Sequence, residues 1–227
     1  MQPGLSLKLK LFIAISVLLN IAYIYKLSKD YYITYKKRIA SEHVTYLYNR
    51  QTIYKVLPIN KNDIVFIGDC HTQKFDVAEF FNKTNIKNRG IDGDVTEGVL
   101  LRLSDITKGH PAKIFLQIGI NDIFQRNDLI KAIPNYKRIV RRILEDRPET
   151  KIYVESILPS KFANPDTVIR YNRAIKQISR DNGLTYIDLY DKFNSSGSLK
   201  PIYDCGDLIH LNGNGYVLWS GILKPYL

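Results

Sequence analysis

Cysteine is nearly absent: Cys70 and Cys205 are the only two in 227 residues, too few for a disulfide framework. No cysteines or histidines have the spacing of a zinc site, and neither a P-loop nor a dinucleotide fingerprint occurs. The sequence therefore implies no metal and no nucleotide cofactor. Internal repeats and low-complexity tracts are also missing. Negative charge is scarce in one place only. Residues 1–60 hold nine Lys/Arg against two Asp/Glu and carry +7 of the formal +11, whereas the remaining 167 residues carry +4. A basic excess confined to an N-terminal arm points to anionic lipid headgroups as its partner, not to nucleic acid.

Charge of either sign is missing from residues 11–25, LFIAISVLLNIAYIY, which come after Lys8 and Lys10. Such a run is the core of a signal peptide or a short signal anchor. No small-x-small cleavage site follows, because Tyr23, Ile24 and Tyr25 lead directly into Lys26. The expectation is an uncleaved anchor over residues 1–28, meeting the membrane through residues 5–28, with tilt or snorkelling lysines making up the length. A buried core helix fits less well, since no polar face interrupts the run. Residues 29–60, rich in Tyr and basic side chains, read as a juxtamembrane helical connector, with Ile39, Val44, Leu47 and Tyr48 near helical spacing. Five basic residues lie after the apolar run (Lys26, Lys29, Lys36, Lys37, Arg38) and two precede it. Counted strictly, that puts the downstream side in the cytoplasm. Anchors of this form more often export the domain C-terminal to them, so the expectation leans to an extracytoplasmic domain with the side left open.

Apolar and amphipathic segments alternate over residues 61–227. The pattern predicts strands at 64–67, 86–90, 113–118, 151–157 and 184–188, and helices at 74–82, 95–107, about 134–146, 165–181 and 213–223. Pro134 reads as the first residue of its helix, with Tyr136, Ile139, Val140, Ile143 and Leu144 on one face. Asn164 and Pro165 open the next helix as cap and first residue. Five strands separated by helices imply an α/β fold, a parallel sheet covered on both sides.

Ligands in such folds bind beyond the carboxyl ends of the strands. That rim receives Gly68-Asp69-Cys70-His71-Thr72, NRGIDGD (88–94), IGIND (118–122) and, before the last helix, DLIHLNGNGY (207–216). Singly, each has a bland explanation. Cys70 would be a small buried residue, Gly90 and Gly93 a tight turn, Asn121-Asp122 a helix cap, and Asp207 and His210 loop residues. Together they supply what acyl transfer needs: a nucleophile, a base with an orienting carboxylate, and donors for an oxyanion. Asp207 and His210, three apart, can share one side of a single turn. A glycine amide has no Cβ to obstruct a substrate oxygen.

The four blocks IGDCHT, GIDGD, GIND and DLIHLN, in this order, resemble those of the SGNH (GDSL-type) hydrolases, esterases and lipases. The resemblance spans residues 62 to about 224. It implies a flavodoxin-like three-layer α/β/α sandwich with a five-stranded parallel sheet. The activity it implies is hydrolysis of an acyl ester, often an acetyl group on a carbohydrate or lipid, with no cofactor. Carbohydrate O-acetylesterases and platelet-activating-factor acetylhydrolases are nearest in flavour. Carried over to this chain, Cys70 takes the nucleophile position, His210 the base and Asp207 its orienter. The Cys70 N–H, the Gly93 N–H and the Asn121 side chain form the oxyanion hole.

The family has serine where this chain has Cys70. A thiolate is the stronger nucleophile, partly formed near neutral pH from a thiol of pKa ~8.5, but sulfur is also the better leaving group. The tetrahedral intermediate of a simple ester then reverts more readily, and the larger atom sits less well in a hole shaped for oxygen. Three accounts stay open: a native thioester-forming nucleophile, serving hydrolysis or carbohydrate O-acyl transfer; an engineered replacement of serine; or a site that has become a non-catalytic carbohydrate- or lipid-binding module. Cys205 reads as an incidental loop residue, although a bridge to Cys70 would shut the site if their Cα atoms came within about 7 Å.

Overall fold

The computed structural model describes residues 6–126 and 129–227; the first five residues of the expected anchor lie outside them. The chain divides into two compact units, Met1–Asn49 and Arg50–Leu227. The first consists of helix α1 (Leu7–Val56), whose final turns from Arg50 belong to the second. One 18-residue window of α1 reaches a mean hydropathy of 1.9 with none of it buried, so α1 is long and apolar enough to cross a membrane. Signal sequences meet the same test.

In the second unit, side chains along each strand alternate between two cores. Strands β1 (Ile64–Gly68), β2 (Ile86–Gly90), β3 (Lys113–Gln117), β4 (Lys151–Glu155) and β5 (Thr185–Ile187) form one parallel sheet in the order β2-β1-β3-β4-β5. This is the flavodoxin-like order, whose switch point lies between β1 and β3. Val65, Ile67, Ile114, Leu116, Ile152 and Val154 face α4 (Thr96–Thr107), α6 (Leu129–Asp146) and α7 (Pro165–Asp181). Ile64, Phe66 and Phe115 face the opposite core, with Trp219 and Leu223 of α9 (Gly213–Leu223) and Phe193 of α8 (Tyr190–Phe193). On that face Phe66, Phe115 and Tyr153 lie in register on β1, β3 and β4, each ring stacked on the next at 4.6 Å. The sheet is covered on both sides, which makes the three layers.

Two expected helices differ. The helix expected over 74–82 is reduced to one short turn, α3 (Val77–Phe80), and a separate one, α2 (Cys70–Gln73), precedes it. Phe75 and Val77 are both buried, a period-two demand that a helix cannot meet, and Asn88 Nδ2 donates to the carbonyls of Thr72 (2.6 Å) and Phe75 (2.9 Å) at the break. Pro134 does not open its helix; it lies inside α6. The apolar stripe runs one turn further back, to fully buried Ala132. Burial there offsets the roughly 3 kcal/mol that an interior proline costs. Strands β3 and β4 also stop one and two residues earlier than the apolar runs suggest.

Candidate active site

Strand β1 delivers Cys70 to the rim through a turn with no spare room. A Cβ on Gly68 would lie 2.0 Å from Thr72 Oγ1 and 2.4 Å from the Gln117 carbonyl oxygen. Asp69 caps α2, accepting the His71 N–H at 3.1 Å. Cys70 is the first residue of α2, so its own N–H has no partner within that helix. Its side chain is 4% exposed, with Sγ 3.8 Å from Asp69 Oδ1 and 4.0 Å from His71 Nδ1.

His210, the expected base, arrives on the loop before α9. Asp204 Oδ1 accepts the N–H groups of Gly206 and Leu208, each at 3.0 Å, and Leu208 takes a positive φ of 65° to follow that turn. Asp207 Oδ1 then accepts the N–H of Ile209 (3.0 Å) and of His210 (2.7 Å), while its Oδ2 meets His210 Nδ1 at 2.5 Å. Held this way through Nδ1, the ring keeps its other nitrogen for the side of Cys70. Cys70 Sγ, a His210 ring nitrogen and an Asp92 carboxylate oxygen all lie within 4.8 Å of one another.

Two further loops close the ring. Asp94, at the end of the glycine loop, is buried against Arg102 (Nε 2.9 Å, Nη2 2.8 Å). Its backbone oxygen accepts Asn121 Nδ2 at 3.0 Å. Asp122, next to Asn121 on α5 (Ile120–Arg126), accepts the N–H and hydroxyl of Thr96 at 3.0 and 2.6 Å. Gly93 holds a φ of 73°, open to glycine but strained for a side-chain residue. The loops carrying Gly93 and Asn121 are thus stitched to each other.

The electrostatics favour an ion pair. Burial and the Asp69 carboxylate push the Cys70 thiol up, but the facing His71 charge and the rings of His210 and His71 outweigh them, so it lies below the ordinary thiol value. His210 is raised, chiefly by Cys70 and then by Asp207, against the opposing effect of burial. Burial alone would raise Asp207, yet hydrogen bonds from the His210 backbone and ring and from Ile209 hold it well below the carboxylate range. His71, opposed by its own burial, is nevertheless raised by Cys70 and Asp69.

Sequence reasoning gave no role to His71 or Asp92. His71 is 2% exposed, and its Nε2 lies 2.8 Å from the carbonyl oxygen of Ile209, on the loop that carries His210. One imidazole thus lies against the Cys70 thiol and ties down the loop that carries His210. A histidine next to Cys70 was the available signal, but a bond 138 positions along the chain leaves no local trace. Both cysteines are free thiols, Cys70 buried and Cys205 exposed.

Residues 69–218 match the GDSL-like Lipase/Acylhydrolase family. The human platelet-activating factor acetylhydrolase IB subunit alpha2 is 28% identical over 174 residues, covering 72% of this chain and 73% of the relative. A solved structure from Streptococcus pneumonia, provisionally named a platelet activating factor, is 27% identical with a TM-score of 0.76, covering 84% of this chain and 96% of that one. A GDSL-like lipase from Bacteroides thetaiotaomicron shares the fold at 20% identity and a TM-score of 0.70, covering 79% of this chain and 96% of that one.

Proposed function

Because this chain belongs to the GDSL-like lipase/acylhydrolase family and is an ester hydrolase of that kind, we propose that it removes acetyl or other short acyl groups from carbohydrate or lipid through a thioester on Cys70. The observation that carries this reading is the line from Cys70 Sγ to the His210 ring, within 4.8 Å, and on to Asp207 Oδ2 at 2.5 Å.

In the proposed reaction the Cys70 thiolate attacks the ester carbonyl carbon, forming a C–S bond while the carbonyl electron pair moves to oxygen. The amides of Cys70 and Gly93 and the Asn121 side chain receive that oxyanion; of the two Asn121 Nδ2 protons, one is committed to Asp94. Collapse expels the alcohol oxygen, which takes its proton from the His210 imidazolium. Water then attacks the thioester, His210 accepts its proton, and the carboxylic acid leaves as the thiolate re-forms. Sulfur leaves more easily than alkoxide, so forward collapse depends on delivering that proton to the alkoxide. The raised His210, paired with Asp207, holds it where it is needed. The acetyl preference draws on the relatives named acetylhydrolases. Helix α1 would anchor the enzyme to a membrane, with the catalytic unit on the extracytoplasmic side.

The test is hydrolysis of p-nitrophenyl acetate by the full chain and by Cys70→Ser, Cys70→Ala and His210→Ala. Activity in the parent, its loss in the alanine variants, and an acetyl adduct on Cys70 by intact mass would establish the thioester route. Activity in Cys70→Ser alone would show a serine-shaped site in which the thiol does not turn over.

A further inference from the structure

We propose that Cys70, His210 and Asp92 form a binding site for a thiophilic divalent cation, zinc above all. Thiolate, imidazole and carboxylate are the three ligand types zinc takes in proteins. One ligand atom from each lies within 4.8 Å of the other two. Tetrahedral coordination needs ligand–ligand edges of about 3.4–3.6 Å from ordinary zinc bond lengths, so no pair within 4.8 Å has to close by more than about 1.4 Å. Asp92 and His210 are only partly buried and can make that movement, while Cys70 stays fixed in the core.

The His210 ring is already arranged as a metal ligand. Its Nδ1 is bonded to Asp207 Oδ2 at 2.5 Å, which leaves Nε2 for the ion. A carboxylate behind a ligating histidine in this way fixes the tautomer and raises the basicity of the ligand. Asp92, by contrast, has no place in acyl transfer. A carboxylate beside the nucleophile opposes both the thiolate and the oxyanion. Asp69 adds a second one, 3.8 Å from Sγ, whose buried Oδ2 finds no hydrogen-bond partner among the described residues. A bound dication offsets this accumulation of negative charge.

Two neighbouring clusters fit less well. Cys205, Asp207 and His210 also come together, but Asp207 is committed to two backbone N–H groups and to the ring. Asp69, Cys70 and His71 are wholly buried, and His71 Nε2 is taken by the Ile209 carbonyl, so a hydrated ion has no entry. Three protein ligands at the chosen site leave a fourth position for water. Binding there releases to solvent the one proton that the Cys70–His210 pair holds and removes the sulfur lone pair from attack, so zinc would silence the nucleophile.

The inference goes beyond the hydrolytic reading and is tested without an ester. Purified, reduced full chain is titrated with Co2+, and the thiolate-to-cobalt charge-transfer band is followed in the near ultraviolet, with Zn2+ added afterwards as competitor. Expected are one equivalent of Co2+, displacement by Zn2+, an unchanged band in Cys205→Ser, no band in Cys70→Ser, and at least ten-fold weaker binding in Asp92→Asn. Circular dichroism checks each variant's fold, with Cys70→Ala substituting for Cys70→Ser if the latter unfolds. Absence of the band in the parent overturns the proposal. So does a band that depends on Cys205 instead of Cys70, or Asp92→Asn binding as tightly as the parent.

Discussion

A thiol at position 70 faces two imidazoles with different duties. His210 is partly exposed and backed by Asp207, which suits it to the proposed exchange of protons with substrate and water. His71 is sealed in, with one nitrogen toward Sγ and the other on the Ile209 carbonyl. In the proposed mechanism it is a positioning residue, since it holds the loop of His210 against the turn of Cys70. Replacing it by phenylalanine keeps most of the volume but loses the tie. Because ångström-scale misplacement costs about 10²-fold in rate, His71→Phe is expected to lower kcat by that order with KM little changed, as steady-state kinetics will show. Asp207→Asn removes the charge that supports the His210 imidazolium. A kcat loss of about 10²–10⁴ is expected, the range general acid–base catalysis supplies, together with retained substrate binding.

Elements place these residues through a few buried ties. The Asp94–Arg102 pair links the glycine loop to α4, and Arg102 Nη2 also reaches the Gly68 carbonyl at 3.4 Å. Burial raises the Asp94 carboxyl, and Arg102 opposes that rise. Arg102→Met would strand a buried carboxylate. The expected loss is about 3–5 kcal/mol, read from urea unfolding tracked by fluorescence of Trp219, the chain's single tryptophan. Adding Asp94→Asn should recover part of it. This tie was only half legible. The motif marked Asp94 as part of a block, but Arg102 is an ordinary helical arginine until the fold turns it inward. Likewise, the break between α2 and α3 depends on Asn88 reaching across from β2, which periodicity over 74–82 does not register.

At the scale of the whole molecule, a buried carboxyl adds a polar tie between the last helix and the sheet on which it packs. Glu155, at the end of β4, accepts Trp219 Nε1–H at 2.6 Å. Burial pushes it up to about 8, against the opposing bond from Trp219. A carboxyl raised on folding binds its proton more tightly in the native state. Its contribution is therefore complete below the unfolded value of about 4.3, declines as pH rises, and is gone above about 8. Unfolding free energy should fall by a few kcal/mol across that window. Glu155→Gln keeps an acceptor for Trp219 and should flatten the slope, as urea unfolding at pH 5 and pH 8 will test. At the same scale, the full chain is expected to stay in the membrane pellet after alkaline carbonate extraction. A mature N-terminus beyond residue 25 would instead mark α1 as a cleaved signal.

Local sequence was enough for the alternation of strands and helices, the apolar N-terminal run, and the four blocks that carry Cys70, Gly93, Asn121 and the Asp207–His210 pair. Each is set by periodicity or by residues within a few positions of one another, which short-range sterics and hydrogen bonding govern. Only the tertiary structure decided that His71 bonds to Ile209, that Asp92 stands beside Cys70 and His210, and that Pro134 lies inside a helix. Those outcomes depend on burial and on contacts between segments far apart in the chain, where the energy of packing overrides the preference of any single stretch.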